Sequence, residues 1–185
     1  MTINKRTNEM LSIPNILCYF RFLLIPVFCI IYLRAETEND YYIAAVVLVV
    51  ATLTDFLDGF VARKFDMITD LGKIIDPIAD KLMHGAVALC LCKRYPLMWI
   101  LVGVMAVKEG YMVIMGIRHL KSGEQVRGAL WFGKVCTAVL FVTLTALVIF
   151  SVLPLMAVYT LIVVNIVFML FSLVMYINAF RNIRL

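Results

Sequence analysis

Six apolar stretches divide the chain, each about as long as a bilayer is thick, and short polar segments separate them. About 20 predominantly apolar residues are needed for a helix to cross the hydrocarbon core. On that measure the pattern predicts helices near 14–34, 41–62, 74–92, 96–117, 131–151 and 154–179. The expected fold is an all-α integral membrane protein with six transmembrane helices. No Ser/Gly/Pro-rich linker, low-complexity tract or internal repeat interrupts the pattern, so residues 1–185 are read as a single domain.

Composition agrees. The chain is 64% hydrophobic, against roughly 45–50% in soluble domains. Its five cysteines, Cys18, Cys29, Cys90, Cys92 and Cys136, are odd in number and scattered through apolar stretches. They read as small core residues and not as a disulfide frame or a metal knuckle. The first dozen residues hold Asn4, Lys5, Arg6, Asn8 and Glu9 with no small-residue cleavage site, which predicts no cleaved signal peptide.

Charge sets the expected orientation. With six spans, Lys5, Arg6, Arg63, Lys64, Lys73, Arg118, Lys121, Arg127, Lys134, Arg181 and Arg184 fall on one side. Arg34, Lys93 and Arg94 fall on the other, with Glu36, Glu38 and Asp40. The positive-inside rule then puts both termini in the cytoplasm. The net charge of +5 suits anionic lipid and phosphate ligands. No folded basic module is present, so no nucleic-acid partner is expected.

Against this apolar background stand Asp55, Asp58, Asp76 and Asp80. An ionisable side chain at membrane depth is expensive and marks a functional site by default. Asp55 and Asp58 are i,i+3 neighbours near the end of the second predicted helix; Asp76 and Asp80 are i,i+4 neighbours near the start of the third. Each pair lies on one helix face, and a hairpin through the short basic turn brings the two faces together. Four like charges need a positive partner. Divalent cations on carboxylate oxygens are the economical solution. The alternative is neutralisation by Arg21, Arg63, Lys81 and Lys108, as in a channel or transporter. Gly59 and Gly72 permit close approach of backbone or ligand. Asp76-Pro77 is either an N-cap with proline at the first helical position or a proline inside a helix already begun near Gly72.

Read in full, the run is Asp55-x-x-Asp58-Gly59-x-x-Ala62-Arg63, eight residues, then Gly72-x-x-x-Asp76-x-x-x-Asp80. This resembles, at every position, the signature of the CDP-alcohol phosphatidyltransferases, a family of six-helix membrane enzymes. Ile13-Pro14-Asn15-Ile16-Leu17-Cys18 with Arg21 and Pro26, Asp76-Pro77-Ile78-Ala79-Asp80-Lys81, and Gly133-Lys134-Val135 with Thr137 are similar to its phosphatidylglycerophosphate and cardiolipin synthase branch. The resemblance implies transfer of a phosphatidyl group from CDP-diacylglycerol to an alcohol, with release of CMP, on two Mg²⁺ or Mn²⁺ ions. It implies that Asp55, Asp58, Asp76 and Asp80 are metal ligands and that Asp80 is also the base for the acceptor hydroxyl. It further implies that Asn15, Cys18, Gly59, Ala62, Arg63, Thr69 and Gly72 line the CDP-diacylglycerol site. Relatives usually carry threonine at the position of Cys18. A homodimer in a bacterial-type cytoplasmic (inner) membrane, its site facing the cytosol, is the implied setting.

The acceptor is read from a cationic arc. Arg118, Arg127 and Lys134, near His119 and Lys121, suit the phosphate of a small phosphorylated alcohol such as glycerol 3-phosphate; ordinary positive-inside topology is the competing explanation. A cardiolipin synthase would take phosphatidylglycerol instead, and Lys108-Glu109 departs from the Arg-Glu usual in phosphatidylglycerophosphate synthases. His84, one turn beyond Asp80, either orients that carboxylate or is a core histidine. A cation or proton pathway through the carboxylates is the non-enzymatic alternative.

Overall fold

The computed structural model describes residues 12–65, 69, 72–121, 130–150 and 152–182, and among them every regular element is helical. There are six: α1 (Ile13–Arg34), α2 (Glu38–Lys64), α3 (Gly72–Leu91), α4 (Met98–Lys121), α5 (Trp131–Ile149) and α6 (Leu155–Asn182). They follow the predicted stretches to within a few residues. Five are long and apolar enough to cross a membrane, namely Ile13–Arg34, Glu38–Ala62, Met98–Arg118, Trp131–Ile149 and Leu155–Arg181. The third, α3, is not among them, because Lys73, Asp76, Asp80 and Lys81 crowd its first half. Large apolar side chains such as Leu23, Val46, Phe56, Val142, Met156 and Val167 point outward, as they do when the surrounding solvent is hydrocarbon.

The chain divides after Cys90 into two compact units. In the first, α1 starts with Pro14 in its first turn, where the missing N–H has no intrahelical partner to lose. The connection to α2 is short, and α2 opens on a capping box. The Thr37 hydroxyl accepts from the Asp40 N–H at 3.4 Å, and the Asp40 carboxylate accepts from the Thr37 N–H at 2.9 Å. Two otherwise orphaned donors are thereby satisfied. Such a tight turn forces α1 and α2 to pack along each other. Buried Ala44, Ala45 and Ala51 keep α2 slim, which allows close approach of helices in lipid. Tyr32 closes the far end of the pair, stacked on Phe28 at 5.6 Å and edge-on to Tyr41 at 5.3 Å. In α3, Pro77 lies inside the helix. Of the two readings of Asp76-Pro77, the structure takes the one in which the helix has already begun at Gly72.

In the second unit, α4 and α5 both pack on α6. Phe132, Cys136, Leu140, Leu144 and Leu147 of α5 are buried, as are Val158, Ile162, Met169 and Tyr176 of α6. One polar pair lies within this apolar seam: the Asn165 amide donates to the Thr143 hydroxyl at 2.6 Å. The packing is tight at Gly133, where a Cβ would run into the hydroxyl of Tyr176 and lie 3.0 Å from its Cζ. Tyr176 in turn stands edge-on to Phe132, ring centres 4.7 Å apart.

This contact yields a test. Gly133→Ala is expected to lower stability by about 1–3 kcal/mol, the range for overpacking a filled site. Tyr176→Phe removes the atom that the new methyl meets first, so the double variant should recover part of the loss. Thermal unfolding of the four proteins in detergent gives the coupling; simple additivity would show that the hydroxyl is not the obstacle.

Candidate active site

Three helices of the first unit meet around one guanidinium. Asn15, Cys18 and Arg21 recur every third residue on α1 and are 1%, 0% and 1% exposed, so they form a single inward polar stripe on an otherwise apolar helix. Asp55 and Asp58 come from the last turns of α2, and Asp76 and Asp80 from the first turns of α3. Arg21 Nη2 lies 2.8 Å from Asp55 Oδ1 and 2.5 Å from Asp58 Oδ2; Nη1 lies 2.9 Å from Asp80 Oδ1. The fourth carboxylate is reached through sulfur. The Cys18 thiol is within hydrogen-bonding contact of Asp76 Oδ1 and 3.4 Å from Asp58 Oδ2.

The predicted quartet therefore converges. Of the four cations considered as partners, Arg21 is seen on three of the carboxylates. Lys81 is exposed, and Lys108 bonds Glu109 at 2.7 Å within the second unit. The Arg63 side chain lies outside the described residues. One guanidinium offsets at most one of the negative charges gathered here, and its Nε is buried without a hydrogen-bond partner among the described residues. Hard carboxylate oxygens in excess of positive charge, drawn from two facing helices, fit divalent cations of the Mg²⁺ or Mn²⁺ type. The environment also sorts the four: the Asp58 side chain is 3% exposed, whereas those of Asp55 and Asp80 are 46% and 43% exposed.

Beside the carboxylates a polar bridge ties α1 to the start of α3. The Thr69 hydroxyl donates to Asn15 Oδ1 at 3.2 Å and accepts the Gly72 N–H at 2.9 Å. A Cβ at Gly72 would lie 2.9 Å from Asn15 Oδ1, so glycine leaves room for this bridge. Gly59, Ala62 and Arg63 sit on the last turns of α2 and Ala62 is half-buried. Of the acceptor residues, Arg118 is exposed near the end of α4 and Lys134 is exposed in the first turn of α5, while Arg127 lies outside the described residues. His84 is half-buried on α3. From sequence, Arg21 is one of several possible counter-ions and Cys18 a small core residue that the family resemblance places at the nucleotide. The signal for their shared role was the spacing of Asn15, Cys18 and Arg21 on one helix face.

A model of the CDP-alcohol phosphatidyltransferase family matches residues 11–178, which takes in the whole carboxylate cluster, and the chain belongs to that family. Among its relatives, the CDP-diacylglycerol--glycerol-3-phosphate 3-phosphatidyltransferase of Rickettsia typhi is 39% identical over 85 residues, covering 46% of this chain and 47% of that one. The protein of the same name from Rickettsia prowazekii is 39% identical over 83 residues, 45% of each chain. The match thus spans about half the length of these two relatives. That from Escherichia coli K12 is 29% identical over 136 residues, covering 72% of this chain and 74% of its own.

Removing the central cation while its partners stay buried should be severe. In excess chelator, Arg21→Gln is expected to destabilise the protein by about 3–5 kcal/mol, as for breaking a buried ion pair from one side. Thermal unfolding in detergent checks this. A loss below about 1 kcal/mol would mean that the carboxylates find another counter-charge.

Proposed function

We propose that the protein transfers a phosphatidyl group from CDP-diacylglycerol to glycerol 3-phosphate, releasing CMP and giving phosphatidylglycerophosphate. The observation that carries this reading is the convergence of Asp55, Asp58, Asp76 and Asp80 on one point at the α2–α3 turn. The relatives named above, though matched over part of their length, supply the acceptor.

In this reading the four aspartates hold two Mg²⁺ or Mn²⁺ ions, which when bound neutralise the diphosphate and stabilise the departing phosphate. Asp58, sealed from its surroundings, serves only to hold. Asp80 has an open carboxylate edge and takes the proton of the acceptor hydroxyl as its oxygen bonds to the phosphorus; the bond from phosphorus to the CMP oxygen breaks. Arg63 grips the diphosphate, and Asn15, Cys18, Gly59, Ala62, Thr69 and Gly72 surround the nucleotide. The Asn15–Thr69–Gly72 bridge gives that wall a fixed shape before ligand arrives. Arg118, Arg127 and Lys134 hold the acceptor phosphate, a group that does not react. The residues 1–185 act as one domain with α3 as the sixth span, both termini in the cytosol, the site on that side of the inner membrane, and two copies forming a homodimer.

The decisive experiment is CMP release from CDP-diacylglycerol by the purified protein against a panel of acceptors. Glycerol 3-phosphate should be preferred and excess chelator should abolish turnover, with Mg²⁺ or Mn²⁺ restoring it. Phosphatidylglycerol as the better acceptor would move the protein to cardiolipin synthesis. Activity undiminished in chelator would sink the two-metal reading.

Two substitutions separate the roles. Asp80→Asn should depress turnover by about 10²–10⁴-fold, the usual worth of a positioned proton transfer, with His84→Ala costing far less. Arg118→Ala and Lys134→Ala should raise the acceptor KM and leave the donor KM close to wild type, because they grip a spectator phosphate. Titration of each substrate against each variant checks both.

A further inference from the structure

Arg21 touches carboxylates of two different helices, and the two ends of its guanidinium divide them by helix. Nη2 lies 2.8 Å from Asp55 Oδ1 and 2.5 Å from Asp58 Oδ2, both on α2, while Nη1 lies 2.9 Å from Asp80 Oδ1 on α3. We propose that Arg21 is a positioning residue for the transfer reaction: its planar fork sets the Asp80 carboxylate against the α2 aspartates and so aims it at the acceptor hydroxyl. The proposal rests on the reading of Asp80 as the base and adds what holds that base in place.

Burial decides the manner of action. The Arg21 side chain is 2% exposed, too deep to touch a substrate, so whatever it contributes passes through the carboxylates it bonds. Asp80 differs. Its side chain is 43% exposed, open enough to meet an acceptor, and a carboxylate so open has several rotamers to choose among. Arg21 takes Oδ1 and leaves the second oxygen outside its grip, which selects one rotamer and one orientation of the carboxylate plane. A base must lie within hydrogen-bond reach of the proton it takes, and a displacement of about 1 Å can cost roughly 10²-fold in rate. Two nitrogens in one rigid plane hold the two helices at a set separation, whereas a lysine ammonium is a single point of charge on a flexible stem. If Arg21 supplied charge alone, lysine would serve in its place.

The test is CMP release by the whole protein in detergent at saturating Mn²⁺, for Arg21→Lys and Arg21→Gln, each made alone and together with Asp80→Asn. Thermal unfolding in Mn²⁺, and Mn²⁺ binding followed by electron paramagnetic resonance, show which variants are folded and loaded; metal bound to the folded state offsets the loss of the buried charge. Arg21→Lys is expected to lower kcat by about 10–10²-fold, the scale of a misplaced reacting group, with both KM values close to wild type and Mn²⁺ still bound. Arg21→Gln should behave in the same way. In the Asp80→Asn background either substitution should change kcat by less than about twofold, within the scatter of such cycles, because the carboxylate that Arg21 sets no longer takes the proton.

Equal losses in the two backgrounds overturn the proposal, since Arg21 then acts without Asp80. A lysine variant with wild-type kcat overturns it too, and assigns Arg21 the part of a counter-ion. Failure of both Arg21 variants to fold or to bind Mn²⁺ overturns it as well, because the guanidinium is then a requirement of the assembly and not of the proton transfer. Wild-type turnover of Asp80→Asn with Arg21 in place overturns instead the reading of Asp80 as the base, on which the proposal stands.

Discussion

The burial of Arg21 against three carboxylates is the constraint on which the first unit depends. A guanidinium that is 1% exposed is tolerable only where acceptors meet it, since an unpaired charge in an apolar setting is very unfavourable. Its partners come from α2 and α3, at 2.5–2.9 Å. Rotation of α1 by one residue would turn Arg21 into hydrocarbon and leave the aspartates repelling one another. The register of the three helices is therefore held by electrostatics as much as by packing, and the clustered carboxylates are placed as a consequence.

That arrangement also explains an uneven surface. α3 is too charged in its first half to qualify as a span on composition, yet two of those charges, Asp76 and Asp80, belong to the cluster. Its second half is ordinary apolar helix, with Val87, Ala88 and Leu91 buried. Where buried charges find partners, the general rule for membrane helices gives way locally, and such a departure is the signal from which a candidate site is read. The second unit shows the opposite solution. There α5 and α6 are held by an apolar seam that includes an amide–hydroxyl pair, and a glycine lies against a tyrosine with no room for a methyl group. In lipid, close packing of small and large residues replaces the hydrophobic drive that water would supply.

Cys18 belongs to both the core and the polar cluster of the first unit. In size it is a core residue and it is fully buried, which is how a cysteine on an apolar helix reads from its neighbours. Its place one turn before Arg21 puts the sulfur among the carboxylates instead, in contact with Asp76 and Asp58.

Much of the protein was determined by sequence alone. Helix positions follow from runs of apolar residues, and the facing of Asp55 with Asp58 and of Asp76 with Asp80 follows from spacings of three and four on a 3.6-residue period. Both are local properties, and a chain carries its local properties in order. The choice of partners is not local. Arg21 meets the aspartates; Pro77 lies inside α3 and does not begin it; Thr69 bridges Asn15 to Gly72. Arg21 bonds Asp58 and Asp80 from 37 and 59 residues away. Whether two such residues touch depends on the relative rotation and axial shift of whole helices, quantities that no single stretch of sequence contains and that packing of the assembled helices alone decides.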